Sequence, residues 1–294
     1  MSTVLYDTPG PKAKVRNWIY SAVFLVLLGL ALWWALGLMA DKNQLDGDKW
    51  SPFVTDGQVW TTFLIPGLLE TLKAAVIAMV IALPLGALFG IGRLSDHAWV
   101  RIPVGAVVEF FRAIPVLMLM LFGSALYVQY SNVESEIRPL YAVVTGLVLY
   151  NASVIAEIVR AGIQSLPRGQ TDAAKAIGMR KGQTMAHVLL PQAVTAMLPA
   201  LVSQLVVILK DTALGGAVLG YGELLSMSRQ ISANYSNTIP SLIVIAALFV
   251  GVNYALASSA SWLEGRLRQS KKSTGAVVGV AEASDLATGN NSTG

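Results

Sequence analysis

The stretch Glu157-Ile-Val-Arg-Ala-Gly-Ile-Gln-Ser-Leu-Pro-Arg-Gly-Gln-Thr-Asp-Ala-Ala-Lys-Ala-Ile-Gly178, continued by Met179 through Pro191, lies between two long apolar runs. Its pattern predicts a short helix, a glycine break and a second helix. Thr171 is placed to cap the first helix, and Asp172 suits its positive end. Gly178 suits the left-handed position that closes a helix. Ala173, Ala174 and Ala176 are small, so a partner's backbone could come close. From the residues alone, a solvated loop carrying a surface helix explains the stretch as well as a docking element does.

What flanks this stretch sets the class of the protein. The chain is 54% hydrophobic and only 13% charged, whereas a soluble domain carries about 25% charged residues. Six runs contain no charged residue: 17–40, 74–92, 113–131, 139–156, 188–209 and 239–263. A helix needs roughly 20 residues at 1.5 Å each to cross the hydrocarbon. Unpaired backbone groups are not tolerated in lipid, so the runs are expected to be helices. The third and fourth are short, and are expected to extend over charged ends such as Glu109 and Arg112, or Glu157 and Arg160. The predicted fold class is an all-α integral membrane protein with six transmembrane helices.

Charge orients the spans. Fifteen of the 21 Lys and Arg residues fall in the N-terminal tail, 93–112, 157–187 and the C-terminal tail, and five fall in 41–63, 132–138 and 210–238. The remaining one, Lys73, stands at the start of the second run. Positive charge stays inside, which puts both termini in the cytoplasm and the protein in the cell membrane. Lys12, Lys14 and Arg16 precede the first run as they would in a signal peptide, but the run is too long for a signal core. The net charge of +4 is dispersed between apolar blocks, which does not describe a nucleic-acid surface. There is no cysteine, and His97 and His187 are the only histidines. Thiolate chemistry is therefore excluded, and a histidine metal site is not expected. The tail after Lys272 is rich in Gly, Ser, Thr and Ala and is expected to be disordered.

The segment around Asp172 resembles the EAA loop of importer-type ABC permeases. That family's pattern is E-A-A, three residues, G, nine residues, then I-x-L-P. Here Asp172-Ala173-Ala174 is followed by Lys175-Ala176-Ile177, Gly178 and, nine residues on, Val188-Leu189-Leu190-Pro191. The spacing is kept, with Asp for Glu and Val for Ile. Glu109-Phe-Phe-Arg-Ala-Ile-Pro115, Glu157 through Gln170, and Leu209-Lys-Asp-Thr-Ala-Leu214 are similar to the polar amino-acid branch of that family, and the wider pattern to actinobacterial glutamate permeases.

The resemblance implies a type I importer architecture with its core at 64–265 and the EAA loop at 157–191. Residues 1–63 would add a cytoplasmic tail, an extra helix and an outside loop, and 266–294 a disordered cytoplasmic tail. Asp172, Ala173, Ala174, Gly178 and Pro191 would couple to a cytoplasmic ATPase dimer. The chain contains no G-x-x-x-x-G-K-[ST] phosphate loop. It would be a transport subunit and not an enzyme, with no cofactor of its own and with ATP and Mg on the partner. Further partners would be a second permease subunit, related or identical and with the related one favoured, an extracytoplasmic amino-acid-binding protein, and membrane lipid. The cargo implied is a polar amino acid, glutamate before glutamine.

Charge within a membrane is costly and marks candidates for the substrate path. Lys210, Asp211 and Thr212 close the fifth uncharged run, and Glu109 and Arg112 precede the third. A cation beside an anion suits an amino acid's carboxylate and ammonium. The plain alternative is that these are helix ends snorkelling to water. Glu157 and Arg160, three apart, are expected to pair as supports of the loop. Asn151, Ser153 and Gln204 are expected to join helices, and Pro84, Pro115 and Pro199 to kink theirs. The rival reading, an ion-gradient-driven secondary amino-acid transporter, calls for paired broken helices from an internal repeat. No such repeat is visible, and that reading leaves the long loop unexplained. A membrane enzyme would need a convergent catalytic set that the chain does not show.

Overall fold

The computed structural model describes residues 10–272, and all regular structure among them is helical. In chain order the elements are α1 (Pro11–Asp41), α2 (Gly47–Trp50), α3 (Pro52–Thr55), α4 (Val59–Gly92), α5 (Ala98–Ala113) and α6 (Val116–Tyr130). Then come α7 (Arg138–Gln164), α8 (Arg168–Ala176), α9 (Lys181–Leu219), α10 (Leu224–Tyr235) and α11 (Thr238–Lys272). Among the described residues, α1, α4, α7, α9 and α11 are long and apolar enough to cross a membrane. The bent pair α5–α6 makes a sixth if counted as one span.

The core is built on α7, which α4, α6 and α9 flank. From Gly67 onward the buried face of α4 carries only small residues: Gly67, Thr71, Ala74, Ala75, Ala78, Ala82, Gly86 and Gly90. Lipid is as apolar as leucine, so hydrophobicity alone does not drive helices together there. Close backbone approach and van der Waals packing do. At Gly86 the approach is tight enough that a Cβ would lie 2.6 Å from the Ile155 side chain. By contrast α1 buries no residue, and Trp18, Phe24 and Trp33 lie open on its surface.

Several expectations are corrected by the structure. The third run is not the core of one straight helix reaching back over Glu109 and Arg112. The chain bends by 99° between α5 and α6. Ile114, held extended by the following proline, and Pro115 (ψ 134°) break the helix between them. The second span begins at Val59, in a π-helical turn, so Lys73 lies fourteen residues inside it and not at its start. Lys210, Asp211 and Thr212 do not close the fifth helix either. It runs on to Leu219 and ends at Gly220, in the left-handed region at φ 73°. Charge ends an apolar run without ending a helix, whereas a left-handed glycine does end one. The last helix also continues past 266 to Lys272, with Arg266 stacked 3.9 Å over Trp262. The tail expected to be disordered after Lys272 lies outside the described residues.

The 42–58 segment is helical in part and tied to the far end of the bundle. Tyr235 donates its hydroxyl to Asp56 at 2.5 Å, Asn237 donates to the Lys49 carbonyl, and the Ile239 amide donates to the Gln44 side chain.

Candidate functional site

The 157–191 segment folds as a helical hairpin at one end of the bundle. Helix α8 begins at Arg168, directly after Pro167, whose carbonyl takes the Gln170 amide at 3.0 Å. Thr171 therefore lies in the first turns and does not cap, and Asp172 sits one position further in. Pro167 stands at the N-cap with an extended ψ of 132°, and the helix starts at Arg168, three residues before Thr171. At the other end Gly178 has φ 81°. The Gly178 amide donates to the Lys175 carbonyl at 2.9 Å, and the Met179 amide to the Ala174 carbonyl at 3.0 Å. This pair of bonds is the Schellman closure that a left-handed glycine permits.

The alanines divide between two faces. Ala174 is 3% exposed and seats α8 on the π-helical turn Thr184–Leu189 of α9. Asp172, Ala173, Ala176, Ile177, Gly178 and Pro191 are open. Ile177 is 78% exposed, an apolar knob at the tip of the hairpin that the spacing of the motif did not single out. A surface pocket of about 450 Å³ lies beside it, between Gly178 and His187. A small-residue patch with one projecting isoleucine is suited to receive another protein's surface.

The hairpin is braced against the bundle. Lys181 donates to the Leu94 carbonyl at 2.9 Å and pairs with Asp96 in the α4–α5 turn. Nearby, Arg93 donates to Glu157 at 2.9 Å and to Glu109 at 2.8 Å. Arg160 holds Glu157 through bonds of 2.5 and 3.0 Å and also reaches Gln164. Arg112 lies 3.4 Å from Glu109 and 4.0 Å from Glu157. The expected Glu157–Arg160 pair thus exists inside a larger network joining α4, α5 and α7. Arg93 and Lys181 entered the sequence reading only as orienting charges. Their partners are 64 and 85 residues away, so no local pattern pointed to them.

The five residues named for a substrate path fall into two groups. Glu109 and Arg112 belong to the network just described. Lys210, Asp211 and Thr212 lie 29 or more positions along α9 from Lys181, which is roughly 40 Å of helix. Lys210 is exposed beside an apolar groove of about 430 Å³ that includes Leu225 and Phe249. Asp211 is half-buried, while Thr212 is fully buried and donates to the Leu209 carbonyl at 2.7 Å.

Beyond the far end of α9 a carboxylate is buried. Glu223, 0% exposed, accepts the Leu225 and Ser226 amides at 2.7 Å each and so caps α10. Burial pushes its carboxyl up to about 7, against the pull of those two amides and of Arg229. An acid directly before Leu-Leu-Ser-Met was the available cap signal.

Residues 82–269 match the binding-protein-dependent transport system inner membrane component family. The chain belongs to this family. It is a transport component of the inner membrane, crosses it several times, and is not itself the catalyst. The relatives include the glutamate transport system permease protein GluD of Corynebacterium glutamicum, 44% identical over 84% of this chain and 90% of that protein. The probable glutamine ABC transporter permease protein GlnP of Bacillus subtilis is 30% identical over 69% of this chain and 93% of its own. Among solved structures, an amino acid ABC transporter crystallised with histidines has a TM-score of 0.64 at 28% identity, covering 70% of this chain and 95% of that one. The type I importer architecture is therefore the fold of this family member, and a binding protein, an ATPase and a second permease complete such a system.

Proposed function

We propose that this chain is the membrane-spanning subunit of an ATP-driven importer whose cargo is L-glutamate, with glutamine as the alternative cargo. The observation that carries the substrate is the 44% identity to the glutamate permease of C. glutamicum across nearly the whole of both chains. In this reading both termini and the α8 hairpin are cytoplasmic, in line with the Lys and Arg distribution. Residues 64–265 are the transport core.

The open face formed by Asp172, Ala173, Gly178 and Pro191 docks on one subunit of an ATPase dimer, which holds the ATP and Mg. Ala174 keeps α8 seated on its own bundle. A second permease subunit, related to this one, docks on the other ATPase subunit. An amino-acid-binding protein delivers cargo from outside. When ATP closes the ATPase dimer, α8 moves with it. The brace through Lys181 and Arg93 carries that motion into α4, α5 and α7. The bundle then switches between two packings, biased by nucleotide and by the loaded binding protein. Lys210 and Asp211 border the outer part of the cargo path, with Thr212 packed behind them, and Glu109 and Arg112 border its inner end.

The test is uptake of labelled glutamate by cells lacking the gene, complemented with wild type or with Lys210→Met. Wild type restores uptake that follows ATP and not the ion gradient, and Lys210→Met lowers it with the protein still in the membrane. Uptake that collapses with the ion gradient at constant ATP overturns the importer reading in favour of a secondary carrier.

A further inference from the structure

Helix α5 leaves an apolar stripe uncovered. Trp99, Ile102, Ala106, Phe110 and Ala113 follow one another at steps of three, four, four and three residues, which aligns them on one face. All five are exposed, Trp99 at 76%, Ile102 at 66% and Phe110 at 60%. The opposite face is the one that packs. Val108 is fully buried, and a Cβ at Gly92 of α4 would lie 3.3 Å from the Val104 side chain. Arg101, Glu109 and Arg112, eight and three residues apart, share the flank between these two faces.

The bend at Pro115 fixes the depth of this stripe. Helix α6 has 15 residues, which is about 22 Å of helix. Tyr130, 80% exposed, ends it at one boundary of the membrane, where aromatic belts form. The hydrocarbon is about 30 Å thick, so α6 stops roughly 8 Å short of the other boundary. There α5 departs at 99°, close to the membrane plane. Lys181 pairs with Asp96 in the α4–α5 turn, so α5 lies on the same side of the bundle as the α8 hairpin. Amphipathic helices that lie in the interface bury their apolar face about 5–10 Å into the boundary of headgroups and acyl chains. The depth set by α6 falls in that range.

Charge names the headgroup. Arg101 is exposed, donates one N–H to the Ser95 carbonyl at 3.1 Å, and forms no ion pair among the described residues. Glu109, on the same flank, is already held by Arg93 and Arg112. The flank therefore offers lipid a positive charge. A zwitterionic headgroup brings a competing cation to Arg101, whereas phosphatidylglycerol brings only its phosphate.

We propose that α5 is an interfacial helix whose stripe from Trp99 to Ala113 lies against the acyl chains of the leaflet on the α8 side, and that Arg101 selects anionic phospholipid there through its phosphate. Glu109 of this helix bonds Arg93, which bonds Glu157. The lipid that seats α5 thus also seats the brace of the hairpin.

The experiment reads the lipid beside α5 directly. The chain has no cysteine, so Ile102→Cys places a single bimane label on the stripe, with the other subunits of the complete transporter made cysteine-free. The transporter is placed in vesicles of phosphatidylcholine and phosphatidylglycerol in equal amounts, with the chains of one lipid brominated at a time. Either brominated lipid quenches the label, and aqueous iodide does not. Quenching by brominated phosphatidylglycerol corresponds to a roughly fivefold enrichment over phosphatidylcholine, the weight of one cation at an anionic surface. Arg101→Gln brings that ratio near one, while quenching by phosphatidylcholine persists. Phe110→Cys, labelled in the same way, gives the same pattern and stands in if Ile102→Cys does not assemble. Quenching by iodide in place of the brominated lipids overturns the proposal, because the stripe then faces water. Protection from both also overturns it, because another protein such as the second permease then covers the stripe. Equal quenching by the two lipids with Arg101 present overturns the headgroup assignment.

Discussion

Gln204 donates its side-chain amide to the side-chain carbonyl of Asn151, joining α9 to α7 where the two residues are 8% and 0% exposed. Asn151 in turn donates to the Leu147 carbonyl at 2.7 Å. Replacing one partner strands the other in the core. Asn151→Leu is expected to lower the thermal midpoint in detergent by the equivalent of about 1–2 kcal/mol. The double variant Asn151→Leu with Gln204→Leu recovers part of that loss, because no polar group is then left unpaired. Additive losses in the double variant would show that the two side chains are not coupled.

Gly178 separates two effects that one substitution would mix. A Cβ at this position meets nothing within 4 Å, so only the left-handed backbone resists a side chain. Gly178→Ala is expected to cost about 1 kcal/mol through that strain alone. Aspartate enters the left-handed region more readily, so Gly178→Asp reports the docking face. Its expected phenotype is normal membrane content, lost import, and ATP hydrolysis that no longer responds to the loaded binding protein. Wild-type import by Gly178→Asp would move the docking face away from this turn.

Arg93, whose side chain is 16% exposed, bridges Glu109 and Glu157. Arg93→Met leaves Glu157 to Arg160 and the more distant Arg112. With Glu109 57% exposed and solvated, the expected loss of stability is about 1–2 kcal/mol. Arg93→Lys restores less than half of it, since one ammonium does not span two carboxylates as a guanidinium does. Thermal unfolding of the three proteins at low and high salt checks this, and the gap between them should narrow in high salt.

Glu223 predicts a pH dependence. Its carboxyl, raised from 4.5 to about 7, binds a proton more tightly in the folded protein than in the unfolded chain. The resulting stabilisation is fully present below pH 4.5 and is lost as pH rises through about 7. Glu223→Gln keeps an oxygen to cap α10 and has no proton to lose. Its thermal midpoint, measured from pH 5 to 8, should fall less steeply than that of wild type. Parallel slopes would show that Glu223 is ionised throughout.

Much of this was legible in one dimension because its cause is local. Six charge-free runs specify membrane helices, since lipid leaves the backbone no other way to satisfy itself. Gly178 announced its left-handed turn because only such a residue closes α8 cheaply. The spaced Asp172 to Pro191 motif carried the family before any contact was known. Boundaries were less legible. Lys73 and Lys210 interrupt hydropathy, but they do not interrupt a helix that neighbouring helices support from the side. Pro167 and not Thr171 holds the N-cap of α8, so the helix begins earlier than the first hydroxyl in its sequence suggested.

By itself, then, the sequence determined the class, the number of apolar runs, the family and the site of the hairpin, all of which follow from local composition and spacing. Only the tertiary structure decided that Ala174 faces inward while Ala173 and Ile177 face out. The same holds for the 99° bend between α5 and α6 and for the gathering of Arg93, Glu109, Arg112 and Glu157 into one network. Each of these depends on which helix packs against which. That is settled by the fit of small buried faces such as Gly86 against Ile155, a relation between residues too far apart along the chain for any local pattern to record.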